Sequence, residues 1–252
     1  MMPKPKLTTS FVKKEYNRQL KEDYGDDYEF NRWLASRGEW EGYRMQYLAQ
    51  KFHTKDIKFK SYMEFGVGPG TWTKMFLNPK KQFTLIDLSI EMIKQAKRNL
   101  GERKNINYKV MNILNLKDKE KYDFIFSSRA IKYVPNKEKM FRNLYRSLKK
   151  NGTMVIITQS ADTLFQKLSR KLKKKEKDLL HSEGITIQEL KKILEDAGFK
   201  KIEFYPVSLK VNIPKIAKLH GLSNLLWKMN YKKKLNNFST LLSGSYLIKM
   251  KK

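Results

Sequence analysis

Apolar and polar positions fall in short blocks along the middle of the chain. Tyr62 to Phe65, Phe83 to Ile86, Asn107 to Met111, Tyr122 to Ser127 and Thr153 to Thr158 are of strand length. Apolar residues at helical spacing lie between them, as in Lys137 to Leu148, after which Asn151-Gly152 turns into the fifth strand. Such alternation predicts a parallel sheet joined by right-handed crossover helices. In the last third, Ile185 to Ala197 repeats at helical spacing and Gly198 stops it. Lys200 to Val207 and Tyr246 to Met250 read as two more strands. The expected fold is α/β: a doubly wound, mostly parallel seven-stranded sheet. Residues 1–58 are mostly helical by pattern and form an expected N-terminal cap. Residues 59–252 form the core, with inserts at about 160–182 and 208–242.

One turn in this pattern carries chemistry. The first strand runs Tyr62-Met63-Glu64-Phe65, and Gly66, Gly68 and Gly70 follow at every second position. Glycines there let the backbone approach a ligand closely. Asp87 ends the second strand, at the distance where an acid holds ribose hydroxyls, so the pair predicts a nucleotide-like cofactor. A dinucleotide turn needs a third glycine at position 71, which is Thr71. A phosphate-cradling loop needs Gly-Lys-Ser/Thr, and no such triplet is present.

The acid-x-G-x-G-x-G pattern of Glu64, Gly66, Gly68 and Gly70 resembles the class I methyltransferases that use S-adenosylmethionine, over roughly residues 60 to 160. The resemblance implies that the loop wraps the methionine part of the cofactor, Glu64 orients its amino end and Asp87 accepts from the ribose. It places Leu88, Met92 and Ile113 near the adenine and Ser127 at the cofactor end of the fourth strand. Asn112 stands where the family often has an acid accepting from the adenine amine, and its amide oxygen can still accept. It also implies that the last strand inserts antiparallel. Arg44 lies where some small-molecule relatives bind the cofactor carboxylate.

Acceptor residues are less marked. Arg129, Lys132 and Tyr133 follow the fourth strand, at the sheet edge where substrate sits in such folds, and suit an anionic group. The aromatic N-terminal segment offers Trp33, Trp40 and Tyr43 as pocket walls. His181 is the candidate general base for a hydroxyl acceptor.

Charge and composition narrow the partners. The chain of 252 residues has 54 Lys and Arg against 25 Asp and Glu, a net +29. No carboxylate follows Glu203. Such an excess favours an anionic partner. Leu164, Phe165 and Leu168 interleave with Lys167, Arg170 and Lys171, and Leu222, Leu225 and Leu226 with Lys218 and Lys228. Basic amphipathic stretches of this kind lie on anionic membranes. The expected enzyme is of the small-molecule-like branch of that family, and its expected acceptor is anionic or membrane-associated, for example a lipid-linked or quinone-type molecule. An RNA methyltransferase using the basic face, or a non-catalytic module binding nucleic acid or membrane, are the alternatives. The chain has no cysteine, which excludes thiol nucleophiles and thiolate metal sites, and the three histidines lack metal-ligand spacing, so no metal is expected. No apolar run reaches membrane-span length and no signal-peptide core follows Met1, so the expected location is the cytoplasm, peripheral at a membrane at most.

Overall fold

A computed structural model of the protein describes residues 8–25, 27–161, 185–209 and 220–252. The chain opens with α1 (Thr9–Gln19), π-helical turns at Leu20–Tyr24 and Phe30–Leu34, and α2 (Arg37–Thr54). The alternating core follows: β1 (Ser61–Phe65), β2 (Gln82–Asp87), α3 (Ile90–Leu100), β3 (Ile106–Val110), β4 (Tyr122–Ser128), α4 (Lys137–Ser147) and β5 (Leu148–Gln159). Then come α5 (Ile187–Asp196), β6 (Lys200–Leu209), α6 (His220–Asn230), α7 (Asn237–Leu242) and β7 (Ser243–Lys251).

The seven strands form one sheet in the order β3-β2-β1-β4-β5-β7-β6. The first five are parallel, and β7 inserts antiparallel between β5 and β6, as expected. The chain winds from β1 outward to β3, then returns to β4 on the other side of β1. That reversal leaves a crevice at the carboxyl ends of β1 and β4, where sheets of this kind bind ligands.

Strand alternation divides the core between the two faces. Tyr62, Phe83, Leu85, Phe124 and Phe126 pack on the face covered by α2 and α3. Met63, Phe65, Ile125, Phe141 and Leu144 pack on the face covered by α4 and α5. Side chains two apart share a face, so neighbours along one strand serve opposite layers. The helices start where their caps dictate. Ser89 Oγ accepts from Met92 N at the start of α3, and Thr186 and Glu189 form a capping box on α5. Among the described residues, no helix is long and apolar enough to cross a membrane.

Candidate active site

The three loop glycines adopt φ values of 64°, 55° and 84° at Gly66, Gly68 and Gly70, the left-handed region that side chains resist. Space reinforces dihedral at two of them. A Cβ on Gly66 would sit 2.3 Å from Ala130 Cβ, and one on Gly70 would sit 2.7 Å from Leu100 Cδ1. At Gly68 the nearest atom is Met92 Sδ at 4.0 Å. Gly66→Ala should therefore cost about 3 kcal/mol in stability, from overpacking plus backbone strain. Gly68→Ala should cost only about 1 kcal/mol, the dihedral part. Urea midpoints of the two variants check the ranking; equal midpoints would contradict it.

Asp87 closes the loop from the side. Its Oδ2 accepts from Gly68 N at 2.9 Å and its Oδ1 accepts from Ser89 N at 2.9 Å. Both oxygens keep a lone pair for a ligand. Burial pushes this carboxyl up, and the amide bonds hold it back. Glu64 lies behind the loop, fully buried and outside the cavity wall. Its Oε2 accepts from Tyr62 OH at 2.6 Å and Thr73 Oγ1 at 2.7 Å, and its Oε1 has no partner. Burial raises its pKa from 4.5 to about 7, against the two hydrogen bonds. The folded state thus holds a proton that the unfolded state has released, and stability falls as pH rises from about 4.5 to about 7. The full swing is about 3 kcal/mol. Glu64→Gln should flatten the pH dependence of the melting temperature across that window; a wild-type slope that survives in the variant contradicts the assignment.

The cavity at the crevice measures about 230 Å³. Gly66, Gly68, Thr71 and Asp87 form one side, with Leu88, Met111, Asn112 and Ile113 as an adjoining wall. Thr71 Oγ1 is buried without a partner there. Asn112 Oδ1 accepts from Leu114 N at 3.0 Å, so it also closes a turn. The helix α1 covers this wall. Asn17 Oδ1 accepts from Ser89 Oγ at 3.0 Å, Asn112 Nδ2 reaches Thr9 Oγ1 at 3.4 Å, and the Tyr16 ring lies 5.9 Å from that of Tyr133.

Arg129, Lys132, Tyr133, Ser128 and Trp33 line the cavity as well. Arg129 adopts φ 60°, a left-handed conformation that costs a side chain about 1–2 kcal/mol and marks sites under functional constraint. Its Nε donates to Gln46 Oε1 at 3.1 Å, and its guanidinium carbon stands 5.1 Å from the Trp33 ring. Burial, then the nearby Arg32, lowers its pKa to about 10, so it stays charged at neutral pH. Lys132 Nζ donates to Gln159 Oε1 at 3.1 Å.

Several expected site residues lie elsewhere. Arg44 Nη2 donates to Asn224 Oδ1 at 3.2 Å and ties α2 to α6, outside the cavity wall. Trp40 and Tyr43 also stand outside it: Tyr43 stacks on Trp72 at 5.1 Å, and Trp40, 46% exposed, stacks on Tyr43 at 5.6 Å. Of that aromatic trio, Trp33 reaches the cavity. Ser127 points away, its Oγ donating to Phe65 O at 2.9 Å; the next residue, Ser128, faces the cavity because strand side chains alternate. Met92 is fully buried beneath Gly68 and packs the loop from below, off the cavity wall. His181 lies outside the described residues. Among the described residues, no group of three His, Cys, Asp or Glu could hold a metal. Gln46, Thr71, Arg32 and Asn17 carry no sequence signal of their own, because their roles arise from contacts between distant elements.

A family model described as a methyltransferase domain matches residues 37–203. The chain belongs to the class I S-adenosylmethionine-dependent methyltransferases. It is 34% identical over 137 residues to malonyl-(acyl-carrier protein) O-methyltransferase 2 of Ilyobacter polytropus, covering 53% of this chain and 52% of that one. It is 26% identical over 117 residues to a ubiquinone biosynthesis O-methyltransferase of Coxiella burnetii, covering 46% and 49%. The chain thus spans about half the length of the curated relatives it matches. The structure of phosphoethanolamine N-methyltransferase 2 of Haemonchus contortus, in complex with S-adenosyl-L-methionine, superposes with a TM-score of 0.65 at 16% identity, covering 100% of this chain and 61% of that one. This last likeness establishes the methyltransferase fold alone.

Proposed function

We propose that this methyltransferase transfers its methyl group to the oxygen of a small acceptor that already carries a negative charge, a carboxylate above all. The observation that carries the reading is Arg129. It is a desolvated cation in the cavity wall, and among the described residues no carboxylate pairs with it. The neighbouring Glu39 is taken by Arg32 at 2.6 Å. A buried charge without a counter-ion is costly, and an anionic ligand relieves that cost.

The chemistry of the described lining residues supports the same reading. Among the described lining residues there is no histidine, and Asp87 is the single carboxylate. Tyr16 is held protonated, chiefly by burial, then by Tyr28 and Asp87. A hydroxyl acceptor would need a base. A carboxylate is a nucleophile at neutral pH and needs none. The O-methyltransferase names of the two relatives agree with an oxygen acceptor.

The residues fit the cofactor on three features of this structure: a loop of three positive-φ glycines with no room for a side chain at Gly66 and Gly70, an unpartnered buried Thr71 hydroxyl, and an acid at the end of β2. In this reading Gly66, Gly68 and Gly70 shape the seat, Asp87 accepts from the ribose, and Leu88, Asn112 and Ile113 line the base. Residues 1–58 act as the cap over it. S-adenosylmethionine supplies a methyl group on a sulfonium that leaves as a neutral thioether. The chain's own part is alignment and exclusion of water: Arg129 anchors the anion, Trp33 and Tyr133 wall it, and α1 covers the seat.

Incubating the protein with methyl-labelled S-adenosylmethionine and a cell extract tests the reading. The label should enter acidic small molecules or thioesters and be released as volatile methanol by mild alkali, because methyl esters hydrolyse there. Label that stays base-stable, or that enters RNA, would overturn it.

A membrane-side acceptor has one observation in its favour. On α6, Leu225 and Met229 are 56% and 57% exposed, and Lys228 lies beside them, three residues after Leu225. In this reading the stripe rests on an anionic lipid surface. Vesicles rich in phosphatidylglycerol should float the protein at physiological salt, and a Leu225→Glu, Met229→Glu variant should stay behind. Equal flotation of both proteins removes the stripe from the argument.

A further inference from the structure

We propose that Gln46 is a positioning residue for the acceptor: it fixes the Arg129 guanidinium so that its two terminal nitrogens alone face an incoming planar carboxylate. The inference rests on the anionic-acceptor reading above and adds the mode of recognition.

Gln46 sits in the middle of α2 and is fully buried. Both ends of its amide are engaged. Its Oε1 accepts from Arg129 Nε at 3.1 Å, and its Nε2 donates to Ser128 Oγ at 2.7 Å. Arginine can only donate, so the atom facing Nε must be the amide oxygen, and the amide has one orientation. Ser128 and Arg129 are consecutive at the end of β4, and both line the cavity. One buried side chain thus grips the two residues on which the acceptor wall turns.

The consequence for recognition is geometric. A guanidinium has five N–H donors and two edges that match a carboxylate: Nε with one terminal nitrogen, or both terminal nitrogens together. Gln46 occupies Nε and closes the first edge. Among the described residues, no hydrogen bond engages the terminal nitrogens, so the second edge is open. The guanidinium carbon stands over the Trp33 ring at 5.1 Å, and Arg32 stands over the same ring at 4.6 Å. The left-handed backbone of Arg129, anchored by its N–H to Ile157 O at 2.7 Å, holds the base of the side chain. Backbone, ring and amide together leave the fork one direction.

Binding to the protein loaded with S-adenosylhomocysteine tests this, with straight-chain carboxylates from acetate to octanoate and their matching amides as probes. The wild type should prefer carboxylate to amide. Gln46→Leu frees the Nε edge, and carboxylate binding should weaken about tenfold while S-adenosylhomocysteine affinity stays within twofold. Gln46→Glu keeps the shape and the acceptor toward Arg129 Nε, and the Ser128 hydroxyl can turn to donate to its second oxygen, so it is the arm least exposed to a folding defect. It places a carboxylate against Arg129, and the preference for carboxylate over amide should vanish. A merely structural role would lower nucleotide affinity and both probe affinities together. If the wild type discriminates and both variants keep the full preference, the positioning role is wrong and the anionic-acceptor reading stands. If the wild type fails to discriminate, both fall.

Discussion

An Asp87→Ala variant should bind S-adenosylmethionine at least a hundredfold more weakly than the wild type. The side chain does two jobs at once. It accepts from the amides of Gly68 and Ser89, at 2.9 Å each, and so sets the glycine loop against the end of β2. It also keeps the lone pairs that a ribose would use. Hydrogen bonds to a charged group contribute about 1.5–3 kcal/mol each, so two of them account for a loss of that size. Removing the carboxylate further strands two backbone donors at the cavity wall. Saturating cofactor should raise the melting temperature of the wild type, through about 2.7 kcal/mol at a hundred times Kd, and leave the variant nearly unmoved. Equal shifts for the two proteins would remove Asp87 from the cofactor site.

Arg129→Leu should lower kcat/KM for the acceptor by two to three orders of magnitude. Loss of a desolvated fork removes two charge-assisted hydrogen bonds, and the effect should fall on acceptor KM before kcat. Arg129→Lys keeps the charge and loses the fork, so it should recover only part of the activity. Cofactor affinity should stay within twofold in both, because the side-chain contacts of Arg129 run to Gln46 and Trp33 rather than to the glycine loop or Asp87. Stability should fall by about 1–3 kcal/mol at most, because Gln46 Oε1 is left buried without its donor while an unpaired charge is removed. A leucine variant with unchanged KM would contradict the acceptor role.

The glycine loop and Asp87 were legible in the sequence because their determinants are local. Gly66, Gly68 and Gly70 announce a backbone that needs positive φ, and Asp87 announces the end of a buried strand. The surroundings of Arg129 were legible only in position. Arg129 follows β4, and any such residue reaches the crevice edge, but its bond to Gln46 spans 83 residues and no local pattern carries it. Arg44 shows the opposite failure. An offset borrowed from relatives placed it at the cofactor, while the helix turns it toward Asn224, 180 residues away, on a segment whose location tertiary packing decides. Ser127 and Ser128 differ by one step along a strand, and one step reverses the face. The aromatic run of the cap promised three wall residues. Tyr43 instead makes a stack with Trp40 and Trp72, and Trp33 alone of the trio turns inward.

Arg32 and Arg129 both stand over the Trp33 ring, and Trp72, beside the glycine loop, meets that ring edge-on at 5.6 Å. Two of the four tryptophans in the chain are thus built into the cavity. An indole flanked by guanidinium groups emits according to the field around it, and a bound anion alters that field. The protein therefore contains its own optical gauge, with one indole beside each half of the site, so that each ligand arriving can be followed in real time without a label.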